Sequence, residues 1–432
     1  MKISLFEEVA VPRPWTAESE STAFAHRLEE IKLADTIGMH GVWLTEHHFL
    51  EEYSHSSAPE VFLGALSTAT RNIRLGHGIV HAPPGINHPA RTAERVATLD
   101  ILSGGRVELG TGESSSAAEL DGFNIDPGRK REMWREGMEV LIGCMADTPF
   151  AGYDGEFVRM PPRNVVPKPV QRPHPPLWVS CTRRATIDMA AENGLGALVF
   201  SFYGPEVFEE HLLRYYSLLE GAVPIGRAMN PNVLCSAGAL ICGPTNEAAA
   251  KMIGQSARFF SYGIGHYYLK GPHKPGVTEL WPAYVAGMQA GTVTGDDDAE
   301  RRGVGSPAKL RALLHAYERI GVDQVMFTTP PVAHEDIMES LDRIGREVLP
   351  EFIDRDQAAS AAKAKKMEPV IEAAMARRKP DRQADSDFEF ASAAVAWDLS
   401  PVTDVVESMG LRDKEREQFR RLRSQGKIET DE

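Results

Sequence analysis

Glu46, His47 and His48 stand side by side, with another imidazole at His55. Imidazole titrates near neutral pH and also ligates metals, so the stretch offers either proton transfer or metal binding. Residues 41–46 read as a buried strand running into it. Neighbouring side chains on an extended chain point to opposite faces, so His47 and His48 cannot share an ion without distorting the backbone. Their spacing matches neither the two-histidine helical zinc pattern nor a paired-ligand unit, and no metal site is assigned. One histidine is then free to face a site and move a proton while the other packs outward against Glu46. Two purely structural histidines are the competing reading.

A different chemistry is offered by Ser180, Cys181, Thr182, Arg183 and Arg184. A strand over 177–181 ends in small hydroxyl and thiol residues, and a helix starts near Arg183 or Arg184. Free N–H groups at a helix start, with Thr182 and an arginine, form an anion site able to hold a phosphate. An ordinary capped helix with exposed arginines is the alternative. His77 and Gly78, Glu113, and the aromatic Phe6, Phe200, Phe202 and Tyr203 also fall on or just after strands. The aromatic residues suit an apolar pocket, or simply the core.

These residues need a frame that gathers strand ends. Short apolar runs alternate with amphipathic segments up to Phe352, the pattern of parallel strands joined by helices. Strands are predicted over 2–9, 41–46, 73–80, 106–111, 177–181, 196–202, 233–241 and 322–328. Helices include residues 23–38, stopped by Gly38, and 307–321, capped by Ser306, started by Pro307 and closed by Gly321. Eight such pairs predict an α/β fold, a (β/α)8 TIM barrel whose βα loops converge at the carboxyl ends of the strands. An open doubly wound sheet lacks support, because no glycine-rich dinucleotide turn is present. Insertions interrupt the barrel after strand 4, over 147–176, and after strand 7, over 261–305, the latter a lid or a disordered segment. The chain divides into a barrel domain, 1–354, and a helical, charged carboxyl-terminal extension, 355–432.

Composition sets outer limits. The chain of 432 residues is 42% hydrophobic and 25% charged, as soluble globular proteins are. Its formal charge of -14 argues against nucleic acid as a partner. No apolar stretch is long enough to span a membrane, and a cytoplasmic location is expected. Cys144, Cys181, Cys235 and Cys242 form no paired units and read as buried thiols.

Taken together, "GVWLTEHHF" (41–49), "IRLGHGIVHAPPGINHPARTAERVATLDILSGGRVELGTG" (73–112), "NVVPKPVQRPHPPLWVS" (164–180) and "GVGSPAKL" (303–310) resemble the bacterial luciferase-like family of flavin-dependent monooxygenases. The resemblance implies a barrel binding reduced FMN at the carboxyl ends of the strands. Oxygen adds to the reduced flavin, and the resulting peroxide oxidises an apolar organic substrate. It makes His47 the active-site histidine, places a non-proline cis peptide at His77 and Gly78 against the flavin ring, and puts the phosphate on residues 180–184. Where luciferase has an arginine after the fourth strand, this chain has Glu113, so either the cationic role passes to Arg183 or Arg184 or the cofactor sits differently. A separate NAD(P)H-dependent flavin reductase is implied as partner, along with a homodimer. The alternatives are a deazaflavin-dependent dehydrogenase or reductase, and a non-catalytic flavin-binding subunit.

Overall fold

The computed structural model describes residues 1–200, 204–269, 272–293, 302–385 and 387–390, with Glu417 and Arg421. The chain splits into two units, Met1–Arg382 and Gln383–Glu432, and the barrel belongs wholly to the first. Its strands are β1 (Lys2–Glu7), β2 (Gly41–Leu44), β3 (Arg74–His81), β4 (Val107–Gly112), β5 (Leu177–Cys181), β6 (Gly196–Val199), β7 (Val233–Ala239) and β8 (Gln324–Thr328). Each pairs in parallel with the next, and β8 closes on β1 with Lys2 opposite Gln324. This is the predicted (β/α)8 barrel.

Strand alternation sorts the side chains into two layers. Phe6, Trp43, Trp178, Leu198, Leu234 and Met326 fill the barrel, while Leu5, Val42, Leu75, Val107 and their neighbours pack outward on the helices. Gly76 leaves room for the Trp43 indole, since a Cβ there would lie 2.4 Å from that ring.

The helices begin and end where local chemistry directs. Ser19–Ile37 stops at Gly38, whose φ of 91° suits glycine. Pro307–Ile320 starts on Ser306, which accepts from the Lys309 N–H, and stops at Gly321 with φ 94°. The insertion after β4 folds as a small antiparallel hairpin, Tyr153–Asp154 with Arg159–Met160. The insertion after β7 is helical, with Phe259–Ile264, a π-helical turn Gly265–Leu269, and Leu280–Gln289.

A long helix, Leu349–Ala376, lies at the amino-terminal end of the barrel. Its Lys363 Nζ donates to Tyr216 Oη and Asn232 Oδ1, both at 2.9 Å, and pairs with Asp323, just ahead of β8. Its Asp356 meets the amino group of Met1 at 3.1 Å. The opposite, carboxyl end of the barrel is left for the site. No helix among the described residues is long and apolar enough to cross a membrane.

Candidate active site

His47 follows β2 and lies at the carboxyl mouth, where it meets Glu8, His81, Glu119 and Tyr268 from four other segments. Its Nδ1–H donates to Glu119 Oε1 at 2.8 Å. On the other side of the ring, Nε2 is 3.7 Å from Glu8 Oε2 and 3.5 Å from Tyr268 Oη. Burial works against a charge on this imidazole, but the carboxylates of Glu8 and Glu119 outweigh it and push the pKa up to about 9. At neutral pH His47 is therefore an imidazolium.

The two carboxylates are held differently. Burial also opposes ionisation of Glu119, yet the charge and hydrogen bond of His47 bring its pKa down to about 2. Glu8 is pushed up to about 6, because burial prevails over His47 and the Tyr53 hydroxyl that donates to its Oε1 at 3.2 Å. Glu8 follows Glu7 at the end of β1, and Val9 beyond it has φ 51°, the left-handed region that β-branched residues rarely enter. Glu8 is thus set by a turn that works against local preference.

His48 turns away from His47, and its Nε2 lies 3.1 Å from Glu46 Oε1. Glu46 Oε2 accepts from the His81 N–H at 3.0 Å, and Asn87 Nδ2 donates to Oε1 at 2.7 Å. His47, His81 and Glu119 present possible ligand atoms within 4.8 Å of one another. His47 Nδ1 and Glu119 Oε1 are nevertheless 2.8 Å apart, closer than the ~3.3 Å separating two ligands of one tetrahedral zinc. The spacing is that of a direct hydrogen bond, not of an ion between them.

The other predicted residues separate into groups. A groove of about 380 Å³ at the ends of β4 and β5 is lined by Glu113, Lys130, Arg131, Arg183 and Thr186, among others. Arg131 pairs with Glu113 at 2.7 Å, which neutralises that carboxylate and leaves Arg183 and Lys130 to give the groove its charge. Arg183, Arg184 and Thr182 are exposed and Ser180 is half-buried at the start of Arg184–Glu192. Arg184 reaches towards Glu210 at 4.0 Å. Cys181 is the buried thiol expected from its spacing rather than a side chain of the anion site: its Sγ points inward to the carbonyls of Val179 and Thr186, and burial drives its thiol pKa up. It offers the groove only backbone.

His77 also needs correction. Gly76 faces the Trp43 indole inside the barrel, so strand alternation turns the His77 ring outward towards the helices carrying Glu60 and Arg95. Burial lowers its pKa to about 4, which keeps it neutral. The non-proline cis bond joins Gly78 to Ile79, one bond later than expected. Gly78 itself packs on Trp43 and Phe6, with a Cβ there 3.1 Å and 3.2 Å from their atoms. Phe6 meets Phe200 edge-on, ring centres 5.0 Å apart. Phe202 and Tyr203 lie outside the described residues.

The sequence reading missed Glu8, Glu119, Lys130 and Tyr268. Glu8 left a signal: two adjacent glutamates ending a strand send one side chain inward. The others come from segments whose approach only the fold reveals.

A parallel barrel that gathers a nearly buried histidine and a groove lined by Arg183 and Lys130 at the carboxyl ends of its strands has the architecture of the barrel enzymes. The chain belongs to the luciferase-like monooxygenase family, whose model matches residues 6–324. The flavin-dependent trigonelline monooxygenase, oxygenase component, of Acinetobacter baylyi is 26% identical over 84% of this chain and 99% of its own length. An uncharacterized Sinorhizobium fredii protein, y4wF, is 35% identical, but that match spans 40% of this chain and only 49% of the relative. Among solved structures, the monooxygenase RslO1 of Streptomyces bottropensis has a TM-score of 0.65 at 24% identity, covering 82% of this chain and all of that one (100%). The oxygenating constituent of 3,6-diketocamphane monooxygenase from Pseudomonas putida, in complex with FMN, has a TM-score of 0.63 at 19% identity, covering 81% and 98%. An F420-dependent secondary alcohol dehydrogenase shares the fold at a TM-score of 0.61 and 15% identity, covering 80% and 98%.

Proposed function

We propose that this chain is the oxygenase component of a two-component monooxygenase, receiving reduced FMN from a separate NAD(P)H-dependent flavin reductase and using it with O2 to oxidise an organic substrate. The observation that carries this reading is the geometry of His47, a nearly buried imidazole held between Glu8 at 3.7 Å and Glu119 at 2.8 Å at the barrel mouth, beside a cationic groove. Family membership and the near full-length match to a flavin-dependent oxygenase component support it.

The donor set fits a flavin phosphate. Arg183 and Lys130 supply charge, and Ser180 and Thr182 lead into a helix whose first free N–H groups favour an anion, while the Thr186 hydroxyl is already given to the Arg183 carbonyl at 2.7 Å. Arg184 stands at the rim. When bound, reduced flavin supplies the electrons that activate O2 for transfer of one oxygen atom. The protein's own work is to hold and shield. His47 carries a proton on Nε2 that it can donate at the mouth, and Glu119 secures Nδ1 behind it. Tyr268 and Phe260, from the insertion after β7, pack on His47 and Tyr53 and keep water from that proton. Gly78, Phe6 and Phe200 form an apolar wall for the substrate body.

Anaerobic titration with reduced FMN and with reduced F420 tests the cofactor assignment. Reduced FMN is expected to bind more tightly, and Arg183→Ala or Lys130→Ala to weaken it about tenfold each, as loss of a charge-assisted hydrogen bond does. Preferential binding of F420 would favour hydride transfer and overturn the reading.

A further inference from the structure

One carboxylate stands directly behind the reacting histidine. Glu119 comes from the short helix Ala117–Gly122, and its side chain has no exposed surface. Oε1 accepts from His47 Nδ1 at 2.8 Å and from the backbone N–H of His48 at 3.0 Å, while Oε2 accepts from Ser114 Oγ at 2.9 Å. With both oxygens engaged, the carboxylate cannot rotate without breaking a bond, and Nδ1 is committed to it. Nε2 is then the nitrogen left to exchange a proton at the mouth.

Ser114 is an unusual residue for its turn. It is buried and has φ 62°, a conformation that glycine adopts freely and serine seldom does. Glycine would fit the backbone but would bring no hydroxyl to Glu119. The Ser114 carbonyl also accepts from Lys130 Nζ at 2.5 Å, and Lys130 lines the cationic groove. The same turn therefore touches both halves of the site.

We propose that Glu119 is a positioning residue for His47, locked by Ser114, so that the turn after β4 sets the imidazole and the groove lysine together. The proposal rests on the reading of His47 as the reacting group. The other ionisable neighbours of His47 are Glu8, Glu46, Tyr53, Tyr268, His48 and His81, and none of them bonds to Nδ1 among the described residues.

Nitrogen NMR of the histidine side chains in the full-length, ligand-free protein provides the test, with His47 assigned by the resonance lost in His47→Gln. Glu119→Gln should lower the His47 midpoint by about one pH unit or more, because an opposite charge in contact is removed. Its kcat should fall about tenfold or more while the KM for reduced FMN stays within about twofold, the pattern of impaired proton transfer with intact binding. Ser114→Ala, which keeps the helix and the carboxylate, should move the midpoint the same way by less. Glu119→Asp should recover part of the lost kcat. An unchanged midpoint in folded Glu119→Gln would overturn the proposal, as would a shifted midpoint with wild-type kcat. The NMR readout needs neither cofactor nor substrate, so it remains decisive even if the FMN assignment fails.

Discussion

Burial alone would strip the proton from His47, yet Glu8 and Glu119 keep it there. Glu119 is 72 residues away and Glu8 is 39 before it, so the pattern 46–48 pointed to the candidate histidine but not to what sets its charge. His47 and His48 do point apart as expected, but β2 ends at Leu44 and the loop beyond it, not strand alternation, separates them; for His77 alternation holds, and only the structure shows which face of β3 Gly76 takes. The charge state has a consequence for pH. His47 has a folded pKa raised from 6.5 to about 9, so its favourable contribution to stability is complete below pH 6.5 and is lost as pH rises through about 9. Glu119 behaves oppositely: its contribution holds above pH 4.5 and fades as pH falls towards about 2. The difference in melting temperature between wild type and His47→Gln should therefore be largest near pH 5 to 6 and vanish above about pH 9. A difference independent of pH would place the effect in packing. Glu8→Gln should lower the His47 pKa, and the alkaline limb of activity should move down by about one pH unit.

The loop after β2 does more than present His47. Glu52, with no exposed side-chain surface, accepts from the N–H groups of Leu280 and Trp281 at 2.5 and 2.9 Å and from Arg13 at 2.8 Å. Glu51 accepts from the Gly276 N–H at 2.7 Å and lies 3.1 Å from His273 Nε2. The insertion after β7 is thus fastened to the loop that carries His47, and Tyr268 reaches His47 from it. Glu52→Gln, which leaves a backbone donor poorly paired, should destabilise by about 1–3 kcal/mol, and faster hydrogen exchange in 280–289 would reveal it. Unchanged exchange there would show that the insertion is held by its apolar contacts alone. The eight strands were legible because apolar runs and helix stops are local signals, as at Gly38, Ser306 and Gly321. The fastening of the insertion was not, because it depends on Glu51 and Glu52 meeting residues more than 200 positions away, which no local pattern marks.

At the scale of the whole barrel, one end is covered by a helix and the other gathers the candidate site. The helix Leu349–Ala376 secures the amino-terminal end through Lys363, whose ammonium joins Asp323, Tyr216 and Asn232. Lys363→Met should cost about 1–3 kcal/mol and lower the melting temperature without changing the KM for reduced FMN, since this cluster is at the end opposite the site. The carboxyl end gathers His47 from after β2, Glu119 from after β4, the groove from β4 and β5, and Tyr268 from after β7. The central claim is that these parts use reduced FMN and O2, with His47 as the proton donor. Its most direct test is to mix the protein with reduced FMN without oxygen, admit O2, and follow the return of oxidised-flavin absorbance in wild type and His47→Ala. The account predicts that wild type imposes its own, slower course on the bound flavin and that His47→Ala binds FMN but loses that course. Reoxidation identical to free FMN in wild type, or identical in the two proteins, would contradict it.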